Sequence, residues 1–148
     1  MRGFLTALVA ASVLVLMGGA AAAHANYVKS NPASDAQLTK PPTEVRITFS
    51  ETPDARGSDV AVLDTSGKRL DQRDVTLVSD EPNTLRVSLG AIGDGGYLVS
   101  WTTLSAVDGH ETKGAFAFAI NAPLPQFTKD FAPSAPPPTA LEIAMTCR

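Results

Sequence analysis

The chain of 148 residues has only two histidines, His24 and His110. His110 closes the run Ser105-Ala106-Val107-Asp108-Gly109-His110, in which a carboxylate and an imidazole stand two residues apart with one glycine between them. The stretch Tyr97 to Leu104 leads into this run, and the alternating Ala115-Phe116-Ala117-Phe118-Ala119-Ile120 leads out of it. Both flanks have the aromatic and β-branched character of strands, so Asp-Gly-His is expected on a loop braced at each end by a sheet. A carboxylate and an imidazole placed in this way can point at one ion. Whether they belong to a complete metal site depends on the distant His24.

His24 follows a leader-like segment. Met1-Arg2-Gly3 precedes an apolar run from Phe4 to Met17, then Gly18-Gly19 and small residues ending near Ala23. A positive start, a short apolar centre and an Ala-x-Ala end describe a secretory signal peptide over residues 1–23, and hence export across the inner membrane to the periplasmic side. The apolar run is shorter than the roughly 20 residues that span a bilayer, and no anchoring charges follow it. Cleavage after Ala23 makes His24 the first residue of the exported domain. Cleavage after Ala25 discards it with the leader.

With His24 at the N-terminus, one residue offers both an α-amine and a ring nitrogen, a natural chelating pair. His110 adds a second imidazole and Asp108 an oxygen. A nitrogen-rich set with one carboxylate suits tetragonal Cu(II), and the Irving–Williams order places copper above zinc at such a site. Glu51, just after the apolar-polar alternation of Val45 to Phe49, is placed to supply an axial or outer oxygen. A blue-copper site needs a cysteine ligand within the fold, and the sole cysteine, Cys147, is the penultimate residue. Cu(I) favours soft thioethers. Met1 and Met17 leave with the leader, and only Met145 remains.

Each residue also has a plainer reading. Asp-Gly is a common turn dipeptide, His110 on a loop can be a solvated side chain, and Glu51 can be an ordinary strand-end carboxylate. His24 can be incidental to the cleavage site. The signal lies in the conjunction: one histidine falls where cleavage would expose it, and the other lies in Asp-Gly-His between two strong strand patterns.

The elements that must position these residues are short strands. Asn26 to Lys29, Val45 to Phe49, Val60 to Leu63, Val75 to Val78, Leu85 to Leu89, Tyr97 to Leu104 and Ala115 to Ile120 are each bounded by turn residues. Ala33 to Pro42 is turn-rich, and Asp64-Thr65-Ser66-Gly67 is a turn in which Gly67 can take positive φ. About seven such strands predict an all-β fold, an immunoglobulin-like or Greek-key β-sandwich. Trp101, Phe49, Phe116 and Phe118 are the expected large core residues. From residue 122 to 148 the chain turns Pro-rich, with Pro136-Pro137-Pro138 at its centre, the composition of a tail or linker. A formal net charge of −3 argues against nucleic acid as a partner.

Several of these blocks, in order, resemble the CopC-like copper-binding proteins of the bacterial periplasm and cell surface. His24-Ala25-Asn26-Tyr27-Val28-Lys29-Ser30-Asn31-Pro32-Ala33 is similar to the family's mature N-terminus, and Phe49-Ser50-Glu51 to its Phe-Ser-Glu. Tyr97-Leu98-Val99-Ser100-Trp101 resembles its Tyr-x-Val-x-Trp block. The run ending in Asp108-Gly109-His110 resembles its Asp-x-His block, and Gly114, Phe116 and Phe118 its final strand. The resemblance implies a copper-binding domain over residues 24–121 that holds Cu(II) through the amine and ring of His24 with Asp108 and His110, Glu51 lying close by. It implies a role in copper resistance or import, without catalysis, beside a CopD-like inner-membrane copper transporter. The methionine-rich segment that certain members use for Cu(I) is missing here.

Two further function classes share some of these features. An N-terminal histidine with a second histidine also resembles the copper brace of lytic polysaccharide monooxygenases, but no aromatic-rich stretch suggests a flat polysaccharide-binding face, and a carboxylate ligand would slow copper reduction. An immunoglobulin-like interaction module without metal, its Asp-Gly-His only a turn, is the other.

Overall fold

The computed structural model describes residues 25–126. His24, Cys147 and Met145 lie outside the described residues, as do the leader and most of the Pro-rich segment. Eight strands follow in order: β1 Tyr27–Asn31, β2 Ala36–Leu38, β3 Glu44–Phe49, β4 Pro53–Asp64, β5 Thr76–Val78, β6 Glu81–Ser88, β7 Gly95–Ser105 and β8 Glu111–Ile120. They form two four-stranded sheets, β1-β3-β6-β5 and β2-β8-β7-β4. All neighbours are antiparallel except β2 and β8, which run parallel. The described chain is thus an all-β sandwich, with one strand more than the roughly seven the turn spacing suggests.

Period-2 patterning builds each layer. In β3 the side chains of Val45, Ile47 and Phe49 are buried while Glu44, Arg46 and Thr48 are half-buried on the other face. In β7, Tyr97, Val99, Trp101, Thr103 and Ser105 point inward, and in β8 Phe116, Phe118 and Ile120 meet them. All four expected aromatics are core residues. Burying each large apolar side chain stabilises the fold by about 1.5–3 kcal/mol. Phe49 from one sheet meets Trp101 from the other edge-on, ring centroids 5.2 Å apart, so the two layers interlock.

The differences from the sequence pattern have local causes. Strand β2 lies within the segment expected to be turns. Three residues between prolines carry no readable period, and the strand exists because β8 offers Phe118 to Ile120 as partners. Strand β4 starts at Pro53 instead of Val60, because pairing with β7 resumes after a bulge between Asp54 and Asp59. The expected separator Ser79 to Asn83 shrinks to a tight turn, and β6 begins at Glu81. Gly67 does take φ +82 in its turn.

One buried ionic cluster seals the outer edge of β4. The Asp71 side chain is fully buried. Its Oδ1 accepts the Val62 N–H at 2.9 Å and Arg69 Nε at 2.8 Å, and its Oδ2 accepts the Arg73 N–H at 3.2 Å. Arg69 also reaches both Asp59 oxygens, at 2.7 and 3.1 Å, and the Val60 carbonyl at 3.2 Å. Edge groups of β4 that could template another strand are thereby occupied. Burial works against the Asp71 charge, but the Arg69 hydrogen bond, the Val62 N–H and the guanidinium charge outweigh it and hold the carboxyl below its ordinary value.

A carboxylate whose folded-state value is depressed contributes stability that is present above the unfolded value and is lost as pH falls through the folded one. Asp71 therefore contributes fully above about pH 4 and progressively less below it. We expect the urea midpoint of the wild-type domain to fall between pH 5 and pH 2. In Asp71→Asn that fall becomes shallower, and Arg69→Ala loses about 2–3 kcal/mol at neutral pH because the buried carboxylate loses its cation. A pH profile of Asp71→Asn superimposable on wild type would show that Asp71 does not titrate with folding.

Candidate metal centre

The loop joining β7 to β8 is organised by the buried Ser105 at the end of β7. Its N–H donates to the His110 carbonyl at 2.9 Å, and its own carbonyl accepts the Gly109 N–H at 3.0 Å. Its hydroxyl oxygen accepts the N–H groups of Val107 at 3.1 Å and Asp108 at 3.3 Å. Asp108 Oδ1 in turn accepts the His110 N–H at 2.9 Å, a local turn that fixes the plane of the carboxylate. Gly109 sits at φ +72, a left-handed conformation that side chains resist, so the glycine between the two candidate ligands is a backbone requirement. Asp108 and His110 are both exposed at the tip of this closed turn.

Two further segments converge on the same end of the sandwich. The Ala106 N–H donates to the Thr52 carbonyl at 3.1 Å, tying the loop to the β3–β4 connection. Two residues earlier, Ser50 and Asn26 exchange bonds: the Asn26 N–H donates to Ser50 Oγ at 3.0 Å and the Ser50 N–H to the Asn26 carbonyl at 2.8 Å. Ala25 is fully buried, and its carbonyl accepts the Thr112 hydroxyl at 2.8 Å. Glu51 thus lies between a residue tied to the start of the domain and a residue tied to the Asp-Gly-His loop. Its Oε1 is buried and has no hydrogen-bond partner among the described residues. An unsatisfied buried acceptor costs about 1–3 kcal/mol, more for a charged group, unless something outside the described residues completes it.

The structure therefore brings Asp108 and His110 onto one rigid turn and sets Glu51 between two tie points at the same end. It does not gather Glu51 with them into a ligand set: among the described residues no three His, Cys, Asp or Glu side chains stand close enough to hold a metal. Ser50, Ser105 and Thr112 are positioning groups that residue-type reasoning passed over. Serine and threonine in strand-like sequence read as ordinary β residues, and only their cross-strand partners reveal what they hold.

Beneath these segments lies an aromatic floor. Trp101 stands opposite Gly114 in the β7–β8 ladder, and Tyr27 stacks over the indole at 6.4 Å and meets Phe116 at 5.9 Å. A Cβ at Gly114 would come within 2.3 Å of Trp101 Cζ2, so the missing side chain is what lets the indole lie down. No helix among the described residues is long and apolar enough to cross a membrane.

The described residues form a small all-β domain with Asp108 and His110 on one turn and Glu51 at the same end of the sandwich. Residues 27–121 match the CopC domain, and the chain belongs to that family. Members of the family are copper-binding resistance and transport proteins and not enzymes. The copper transport protein CutJ of Bacillus subtilis strain 168 is 30% identical over 108 residues, which cover 72% of this chain and 20% of CutJ. This chain thus spans about a fifth of that relative's length. Protein YobA of Escherichia coli K12 is 29% identical over 99 residues, covering 66% of this chain and 79% of YobA. Among solved structures, CopC from Methylosinus trichosporium OB3b superposes with a TM-score of 0.61 at 24% identity, covering 71% of this chain and all of that one. PcoC, a methionine-rich copper resistance protein from Escherichia coli, gives 0.58 at 23% identity, covering 66% of this chain and 99% of its own. At these identities the two structures support the fold.

The contact between Trp101 and Gly114 yields a direct test. Gly114→Ala should destabilise the domain by about 1–3 kcal/mol through overpacking, with a changed near-ultraviolet dichroism of the indole. Unaltered stability in urea titration would mean that Trp101 is not seated on that glycine.

Proposed function

We propose that the exported domain binds one Cu(II) ion through the α-amine and imidazole of His24 together with Asp108 and His110, with Glu51 beside the ion. The observation that carries this reading is the convergence of three segments. The backbone of Ala25 and Asn26 is tied to Thr112 and Ser50, two residues from His110 and one from Glu51 respectively. The segment that enters the domain is thus anchored beside both the strand that the Asp-Gly-His loop feeds and the residue preceding Glu51.

Its presence depends on processing, and the burial of Ala25 supports cleavage upstream. Cutting after Ala25 would remove a core residue and the Thr112 bond with it. Cutting after Ala23 keeps both and leaves His24 as the new terminus. The buried Glu51 Oε1, without a partner among the described residues, supports a positive group at this end, whether a metal ion or the ammonium of the terminus. The donor types suit Cu(II): two imidazoles and an amine with a carboxylate. The chain's own residues orient the site, Ser105 shaping the turn and Gly109 permitting it.

The domain's role is copper resistance or homeostasis, by sequestering Cu(II) outside the inner membrane or handing it to a CopD-like membrane transporter. The match of this chain to a fifth of a much longer copper transport protein supports delivery to a transporter, and residues 122–148 have the composition of a tail or linker.

Intact mass of the processed protein with one equivalent of Cu(II) tests the reading. We expect a chain beginning at His24 that takes up one copper. A chain beginning at Asn26 with no tight uptake would leave a binding module of unknown target. His110→Ala should weaken Cu(II) by more than the 10–100-fold typical of losing an outer partner, and competition titration giving wild-type affinity would overturn the assignment. Affinity should fall as pH is lowered, since protons compete for the imidazoles and the amine. Isothermal titration across pH 5–8 measures it, and a pH-independent affinity would exclude these ligands.

A further inference from the structure

The peptide unit between Ala25 and Asn26 is gripped by both of its polar groups, one from each sheet. Its carbonyl accepts the hydroxyl of Thr112 at 2.8 Å, on β8 of one sheet. Its N–H donates to Ser50 Oγ at 3.0 Å, at the end of β3 in the other. The two gripping residues lie 87 and 24 positions away from their targets in sequence. Because the peptide is planar, holding both its C=O and its N–H restrains the orientation of the whole plane. Only the Ala25 dihedrals then separate that plane from the residue that precedes it, and Ala25 is fully buried.

The Thr112 hydroxyl is itself held in the donating orientation. It lies 2.9 Å from the hydroxyl of Thr103, its cross-strand partner in the β7–β8 register. Since Thr112 spends its single proton on the Ala25 carbonyl, Thr103 must donate to Thr112. Thr103 is completely buried, so this relay is shielded from competing water. The proton order runs from Thr103 to Thr112 to Ala25.

We propose that Thr112 is a positioning residue for the copper site: through its bond to the Ala25 carbonyl it holds the N-terminal ligand arm against the Asp108–His110 loop. This rests on the Cu(II) reading above. The two candidate arms belong to opposite ends of the sequence, and Thr112 connects them, standing two residues past His110 on the strand that the loop feeds. Without its hydroxyl the Ala25–Asn26 peptide keeps only the Ser50 restraint, and copper keeps the loop ligands with a less preorganised N-terminal arm.

The test compares Thr112→Val, which keeps the shape and removes the hydroxyl, with Thr112→Ser, which keeps the hydroxyl, and with His110→Ala. Cu(II) affinity is read by competition, and the number of coupled nitrogens by electron paramagnetic resonance. Amide exchange at Asn26 is followed in the metal-free protein. We expect Thr112→Val to bind Cu(II) about 10–100-fold more weakly, as for outer partners of metal ligands. Its resonance spectrum should show fewer coupled nitrogens and its Asn26 exchange should be faster, while Thr112→Ser stays near wild type in all three. Wild-type affinity and spectrum in Thr112→Val, alongside a severe loss in His110→Ala, would overturn the positioning role and leave the copper reading standing. No loss in His110→Ala would overturn the copper reading and this proposal with it. Should Thr112→Val fail to fold, Ser50→Ala releases the same peptide from the other sheet and is held to the same outcomes.

Discussion

The structure depends on the register of the β7–β8 hairpin. The two strands pair without interruption from Gly95 opposite Ile120 to Leu104 opposite Glu111. In that register Trp101 faces Gly114, the one residue type that lets the indole lie flat on the strand, and Thr103 faces Thr112. A one-residue slip of β8 would turn Phe116 and Phe118 toward solvent and break the hydroxyl pair. The register also decides where the hairpin ends, and so puts Ser105 at the base of a turn just long enough for Asp108, Gly109 and His110. Core packing and site geometry are consequences of the same alignment.

Two carboxylates show how the fold treats buried charge differently in its two regions. Asp71 is enclosed by backbone N–H groups and a guanidinium, and every contact serves to close the β4 edge. Glu51 has a buried oxygen for which the described residues supply no partner. Buried polar groups are nearly always satisfied, so an exception marks a place where something further belongs. That it stands at the end of the sandwich carrying the Asp-Gly-His loop is what makes the exception informative. The same end holds the aromatic cluster of Tyr27 stacked on Trp101 and Phe49 edge-on to it, which seats the first strand directly after the gripped Ala25–Asn26 peptide.

Several ties at that end are hydrogen bonds between serine or threonine hydroxyls and backbone groups, the serines accepting from N–H and Thr112 donating to a carbonyl. Such bonds are individually worth about 0.5–1.5 kcal/mol, so they add little to global stability beside the core. Their effect is directional. Ser105 shapes the Asp-Gly-His loop, while Ser50 and Thr112 hold the segment that enters the domain. The exposed turn needs such restraints, because the side chains of Asp108 and His110 are not held by burial.

Much of this was legible in the residues alone. Alternation in Val45 to Phe49 and Tyr97 to Leu104, with turn residues between, implied a sandwich. The big aromatics identified themselves as core, because side chains of that size have nowhere else to go in a small β domain. The Asp108-Gly109-His110 turn was legible too, since local geometry alone brings a carboxylate and an imidazole onto one turn. Strand β2 was invisible, having too few residues to show a period, and so was the bulge that extends β4. The Arg69–Asp71 seal and the Thr103–Thr112–Ala25 relay were equally hidden, because each joins positions that only the register of distant strands makes neighbours. Local chemistry and periodicity are properties of the chain read in order and belong to the sequence. Which hydroxyl meets which carbonyl 87 residues away belongs to the tertiary structure, because long-range pairing is decided by the packing of the whole core.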